Sequence, residues 1–381
     1  MSILATSGIH GIHGIHGIHG IHGIHGIHGI HGSLGAPGGA ASPTIAAALG
    51  QTAEAIMGFW DGDVPTPAET PGDALYRLMR LDAYPRASVL AYEGVSLFSV
   101  RPGDGTAKLV RTDKDLISLT PPTPETIRRQ MPELRAAMDL RADRLGEILA
   151  QTDGFTAFFA AQMPFGIFRR PYTTYLLAAL FDTVVAQEQR VKHLCSIRRP
   201  VDLSPQIQPV IATPGHSAYP SGHATEAFAV ATLMAAIRLH ADGVAANRLV
   251  SSLQERLLEA GETAAETDPV ILLFRLAARI ADNRTVAGVH YPLDSAHGGL
   301  LGHAVALAFI SHCLGGGSAN SVPAWKADAN DWSGDFTLRK WCAALSGKGG
   351  TDWRSGTTTV AKAEAWQVLP ALWTATLAEW R

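Results

Sequence analysis

Apolar residues recur at helical spacing through most of the chain after residue 123. The pattern predicts helices over Tyr172–Arg190, Ser221–Ala241, Ala245–Gly261, Asp268–Asn283 and Pro292–Leu314. Thr123 followed by Pro124-Glu125 marks a helix start. Pro132 is expected to open the next helix, which runs to about Gln151. Upstream, Thr44–Trp60 carries Ile45, Leu49, Ile56 and Trp60 on one face, and Ala74–Leu81 predicts a short helix. Between them, Asp61–Gly72 reads as a proline-rich loop. The character changes over residues 87–119, where Val89–Tyr92, Val95–Val100 and Leu109–Val110 are β-prone and Gly103-Asp104-Gly105 supplies a turn. The expected fold class is mainly α, a helical bundle with a small β hairpin or sheet at 87–119.

The N-terminal stretch obeys neither period. Residues 8–32 are Gly-Ile-His repeated eight times and closed by Gly32. Glycine at every third position opposes a helix, and in a strand successive isoleucines would alternate faces. A polyproline II strand has three residues per turn, so each residue type would form one edge, and at ~3.1 Å per residue the tract would reach roughly 80 Å. Such a strand makes no hydrogen bonds of its own. Three readings follow: a low-complexity tail, an assembly element bundling several copies into a fibre or stalk, or a metal-binding row. Neighbouring histidines on one edge would lie ~9 Å apart, too far to chelate one ion within a strand. The chain thus divides into the repeat at 1–32, a Gly/Ala/Pro linker at 33–43, helices and a hairpin at 44–122, and a helical domain at 123–381 with its motifs between 192 and 294.

With 46% hydrophobic and 17% charged residues, the chain is long and apolar enough for a sizeable core. A net charge of −3 argues against a nucleic-acid partner. Cys195, Cys313 and Cys342 cannot all pair within one chain and form no CxxC, so neither a disulfide framework nor a cysteine zinc site is indicated. No apolar run reaches the ~18 residues of a membrane span, and residues 1–7 show no basic n-region or long h-region. The expectation is a soluble protein, extracellular or cell-surface without a visible signal peptide. Seven of the eight tryptophans lie beyond residue 324, which reads as a packing lid over the bundle.

Three blocks carry the chemistry: Lys192-x6-Arg199-Pro200, Pro220-Ser221-Gly222-His223 and Arg284-x5-His290-x3-Asp294. Arg199 offers a planar fork for two oxygens and Lys192 a movable point charge. Ser221 stands at an N-cap position, and Gly222 would let an anion approach the helix N-terminus closely. Asp294, in the first turn of a helix opened by Pro292, is placed to orient His290 through one ring nitrogen and leave the other lone pair facing the site. Taken singly, Ser221 is a cap, Asp294 a helix-start carboxylate and the cations a solvated face. Together and in this order they suit a tetrahedral oxyanion held by fixed positive charge, with one histidine to attack and another to move a proton.

Over residues 170–310 this constellation resembles the superfamily of type 2 phosphatidic acid phosphatases, class A acid phosphatases and vanadium-dependent haloperoxidases. The resemblance implies a helical bundle with the site at its core. It also implies that Lys192, Arg199, Ser221, Gly222 and Arg284 bind the oxyanion and that His290 is the nucleophile toward phosphate or the direct vanadium ligand. His223 is then the acid/base, and Asp294 supports His290. Asn283 departs from the serine usual before the arginine, and the interval from His223 to Asn283 is longer than in phosphatases. His216, five residues before Ser221, stands where bromide-oxidising haloperoxidases have histidine, and Gln189, three before Lys192, stands where the well-studied ones have tryptophan. The implied activity is vanadate-dependent oxidation of halide, bromide rather than chloride, by hydrogen peroxide with an organic acceptor. The alternatives are a soluble acid phosphatase, with phosphate at the site, and a structural fibre subunit with an enzyme-like domain.

The assembly reading of the repeat predicts a homo-oligomer through residues 8–32. Deleting residues 1–32 is expected to abolish assembly while leaving activity intact, and acidification to about pH 5 is expected to loosen the assembly by charging the histidine row. Light scattering that shows the same mass with and without the repeat would refute it.

Overall fold

The computed structural model describes residues 43–56, 73–111, 114–262, 267–347, 351–360, 362–364 and 367–381. The Gly-Ile-His tract, most of the 33–43 linker, Trp60, the 61–72 loop and Trp366 lie outside the described residues. The chain divides into two compact units, with Asp73 in one and Ala74–Arg381 in the other. The first contains α1 (Pro43–Ile56), where Leu49 and Ile56 of the expected apolar face are exposed.

The second unit begins with α2 (Ala74–Met79) and α3 (Ala83–Ser96). Here the β-prone expectation fails, because Val89–Tyr92 lies inside α3 and Val95 and Ser96 end it. Leu90, Glu93, Gly94 and Leu97 are buried at helical spacing, while Val89 and Tyr92 are exposed. Gly94 lets α3 press on Thr183, where any Cβ would clash with the threonine hydroxyl. Docking of this face overrides the β preference of the outward residues.

The strands start afterwards, as β1 (Ser99–Gly103), β2 (Thr106–Arg111) and β3 (Lys114–Thr120). Gly105, with φ of +67°, makes the β1–β2 turn. Two further strands, β4 (Gly317–Asp328) and β5 (Arg354–Val360), come from the C-terminal region, and the sheet order is β1-β2-β3-β4-β5. The β3–β4 pair is parallel, with Ile117 opposite Trp325. The sheet therefore joins segments on either side of the helices.

α4 (Pro124–Ala137) starts where expected, its N-cap Thr123 accepting from Thr126 N–H. Pro132 lies inside this helix and does not begin the next. The helix survives the lost hydrogen bond because both flanks are anchored. Gln130 accepts from the Leu293 N–H at 3.0 Å and donates to the Gly334 carbonyl at 3.2 Å, and Leu134 is buried. The break falls instead at a 3-10 turn over Met138–Leu140, before α5 (Arg141–Asp153). α6 (Thr156–Gln162) was not anticipated from the pattern.

The core helices follow: α7 (Pro171–Cys195), a short turn α8 (Pro200–Leu203), α9 (Gly222–Ala241), α10 (Leu249–Glu262), α11 (Pro269–Val286) and α12 (Pro292–Cys313). α12 is the one described helix long and apolar enough to cross a membrane, and it is wholly buried inside the protein. α13 (Leu338–Ser346) and α14 (Leu369–Ala378) complete the unit. Trp325, Trp332, Trp341, Trp353 and Trp373 are buried among them. All three cysteines are free and buried.

Glycine sets how closely α12 crosses α9. A Cβ on Gly298 would fall 2.5 Å from the Ser221 carbonyl, and one on Gly302 would overlap the Thr225 carbonyl. The crossing brings the two helix N-termini, which carry Ser221 and Asp294, together. Ser221 N–H donates to the Asp294 carbonyl at 2.9 Å. Gly302→Ala is therefore expected to destabilise the fold by about 1–3 kcal/mol, the usual cost of overpacking a tight core. A thermal melt checks this, and an unchanged Tm would show that the helices can part at no cost.

Candidate anion-binding active site

The functional side chains are delivered by several elements. Lys192 sits in the last turn of α7, and Arg199 follows the left-handed Ser196 that ends that helix. Ser221 caps α9, Arg284 lies in the last turn of α11, and Asp294 lies in the first turn of α12. Lys192, Arg199 and Arg284 are 1%, 3% and 1% exposed, so three cations are removed from solvent. Such charges need nearby compensation.

Arg199 stitches the site's loops together. Its Nε donates to the His216 carbonyl at 3.0 Å and its Nη1 to the Val289 carbonyl at 2.8 Å. Nη1 also lies 3.0 Å from His290 Nε2. A guanidinium only donates, so this contact makes His290 Nε2 the acceptor and places the ring proton on Nδ1. That proton faces Asp294 Oδ2 at 3.0 Å, which also accepts from Tyr291 N–H at 2.9 Å. The lone pair of His290 thus points toward the cations. Burial and the charges of Arg199 and Lys192 hold its pKa well below the ordinary histidine value. Burial pushes Asp294 up to about 7, opposed by the Tyr291 N–H, Lys192 and Arg199.

His223, in the first turn of α9, is half-buried and its Nε2 lies 3.1 Å from the Gln151 carbonyl. A carbonyl only accepts, so Nε2 carries the proton. Burial first and then Arg284 pull His223 down to about 3, with Lys192 and Arg199 adding to the effect. All three cations therefore act on one point. Lys192 Nζ donates to the Pro220 and Ser217 carbonyls. His216 is exposed at the rim, and its Nδ1 lies 3.2 Å from Arg199 Nη2. Ser221 Oγ accepts from Ala224 N–H, as an N-cap does.

The space over Gly222 is already taken. A Cβ there would lie 2.8 Å from Glu188 Oε1, so the Glu188 carboxyl covers the start of α9. Negative charge is favoured at a helix N-terminus. Burial and Glu226 raise Glu188, and burial lowers Lys192 to about 8 against the pull of Glu188. Sequence reading missed Glu188, although it lies one turn before Lys192 on the same helix. It also missed that α5, expected as a helix ending near Gln151, backs the third block. Arg284 Nη2 donates to the Ile148 carbonyl at 3.1 Å and to Gln151 Oε1 at 3.0 Å. Asn283 Nδ2 donates to the same Gln151 oxygen and to Glu147 Oε2, both at 3.0 Å. Nothing local in the sequence of α5 announces this role. Among the described residues, no group of three or more His, Cys, Asp or Glu side chains is placed to hold a metal ion by itself.

Residues 171–314 match the family described as the PAP2 superfamily. No curated protein matches the chain.

The site's affinity for an oxyanion should fall in alkali because Lys192 titrates early. Sulfate tests this, since it keeps a constant charge over the range used. Its affinity is expected to be flat or rising below pH 8 and to drop by up to about tenfold per pH unit above it, the limit for one linked proton. In Lys192→Gln, calorimetry should find weaker binding without that alkaline limb. An unaltered limb in the variant would remove Lys192 from the site.

Proposed function

We propose, from the premise that residues 171–314 belong to the PAP2 superfamily, that this protein is an oxyanion enzyme and that its reaction is vanadate-dependent oxidation of bromide by hydrogen peroxide. The observation that supports an oxyanion is the pair of buried donors Arg284 Nε and Nη1, which have no protein partner. Arg284 acts on His223 together with the two further buried cations, Lys192 and Arg199. These residues fit a tetrahedral or trigonal-bipyramidal oxyanion, vanadate or phosphate alike.

Lys192, Arg199 and Arg284 would neutralise the bound group, Ser221 and the α9 N-terminus would donate to it once the Glu188 carboxyl that covers them gives way, and His290 Nε2 would hold it directly in place of its Arg199 contact. Asp294 keeps the His290 proton on Nδ1 and so keeps Nε2 available. When bound, vanadate supplies Lewis-acid activation of hydrogen peroxide toward halide without a change of oxidation state. His223 is the group that takes up or returns a proton. Part of the field that depresses its pKa comes from Arg284, Lys192 and Arg199, and an anion among those cations reverses that part. His216 favours bromide chemistry, because its exposed ring at the mouth touches Arg199 and can meet a halide arriving from solvent.

A second reading, an acid phosphatase, is favoured by Gln189. It lies on the exposed face of α7, bonded to Glu188, where haloperoxidases carry tryptophan. In that reaction His290 Nε2 attacks phosphorus, the ester P–O bond breaks, and His223 protonates the leaving oxygen. Water then cleaves the P–N bond, giving its proton to His223. The Gly-Ile-His repeat fits either reading as an assembly element that makes the protein a homo-oligomer.

Metal-stripped protein separates the two. Bromination of a dione by peroxide and bromide is expected only after vanadate is added, with aryl phosphate hydrolysis suppressed by vanadate. His290→Ala is expected to lower either activity by at least about 10³-fold, as loss of a nucleophile or direct ligand does. Hydrolysis that vanadate only inhibits, without bromination, would decide for the phosphatase. Inactivity in both assays would overturn the enzyme reading.

A further inference from the structure

Gln151 belongs to α5, outside the 171–314 match, and is 1% exposed. Its polar atoms can be assigned by elimination. Oε1 lies 3.0 Å from Arg284 Nη2 and 3.0 Å from Asn283 Nδ2. An arginine only donates, so the amide must present its oxygen on that side. The backbone carbonyl is engaged by His223 Nε2. The amide nitrogen Nε2 is buried and has no hydrogen-bond partner.

A buried amide N–H without an acceptor is costly. The polar groups that hold Gln151 are Arg284 Nη2, Asn283 Nδ2 and His223 Nε2, all acting as donors. None can accept from Gln151 Nε2. Arg284 Nε and Nη1 are buried and unpartnered in the same way. Three orphaned donors thus belong to one hydrogen-bonded pair, and what satisfies them together is an acceptor with several oxygens.

We infer that Gln151 Nε2 is a direct ligand of the bound oxyanion, a phosphate-, sulfate- or vanadate-like group, and that Asn283 is the positioning residue that fixes its amide. This deepens the reading of the site given above and rests on it. It gives Asn283 a role at the site. The Asn283 side chain spans Gln151 Oε1 and Glu147 Oε2, and Glu147 is in turn held by Arg279 through bonds of 2.9 and 2.7 Å. The amide is therefore locked with its nitrogen free. The Gln151 carbonyl also accepts a hydrogen bond from His223 Nε2, so one residue would touch the anion, its cation and its acid/base.

Sulfate affinity by calorimetry at fixed pH tests the contact. Gln151→Met is expected to weaken binding by about 10–100-fold, the range of one hydrogen bond to a charged group. That loss alone does not separate contact from support of Arg284, so the same change is made in an Arg284→Met background. A direct ligand still loses about tenfold or more there, whereas a residue acting only through Arg284 loses nothing further. No further loss in that background overturns the proposal. Should Gln151→Met fail to fold by thermal melt, Gln151→Glu keeps the acceptor for Arg284 and removes the donor. Sulfate bound by that variant within about threefold of the unaltered chain likewise overturns it, one hydrogen bond to an ion being worth more. If the unaltered chain binds neither sulfate, phosphate nor vanadate, it is the oxyanion reading itself that falls.

Discussion

Three permanent or near-permanent cations buried in one helical core are the constraint on which the site depends. Removing Lys192, Arg199 and Arg284 from water costs several kcal/mol each unless they are compensated. The protein meets that cost in part with buried carboxylates, Asp294, Glu188 and Glu226, and in part with carbonyls from Ser217, Pro220, Val289 and Ile148. Two donors of Arg284 are left over. Surplus buried positive charge suits an anion, whose oxygens would complete its solvation. Burial first, and then the charges of these cations, lower the pKa of both His223 and His290.

That arrangement is possible only because the helices meet closely. Gly298 and Gly302 bring α12 against the carbonyls of Ser221 and Thr225. The Ser221 N–H can then reach the Asp294 carbonyl, which joins the second and third sequence blocks at backbone level. Lys192 joins the first block to the second through the Pro220 carbonyl, and Arg199 joins it to the third through the Val289 carbonyl. The candidate site groups are thus fixed in part by main-chain contacts. This is how a preorganised electrostatic site is expected to be built.

Around this centre lie elements outside the 171–314 match. α5 supplies Gln151 and the carbonyl of Ile148 from outside the family match. The mixed sheet ties residues 99–120 to the C-terminal strands through the parallel β3–β4 pair. Glu93 clamps the opposite end, accepting from the N–H groups of Val368 and Leu369 and lying 3.3 Å from His312 Nε2.

The sequence alone determined what is local. The 3.6-residue period marked the core helices, Thr123 and Ser221 marked helix starts, and the three spaced blocks named the cations and histidines. Each of these rests on interactions within a few residues of one another. Tertiary structure decided the rest, because the deciding partners lie far away in the chain. Val89–Tyr92 became helix since Gly94 docks on Thr183, and Pro132 stayed inside a helix since Gln130 is held by Leu293 and Gly334. β4 and β5 exist as part of the sheet through β3, two hundred residues upstream, which no period reveals. Glu188 and Gln151 reach the site by the same logic. A buried carboxyl and a buried amide carry no local signature, and only the packing of α5, α7 and α9 turns them toward the charges they serve.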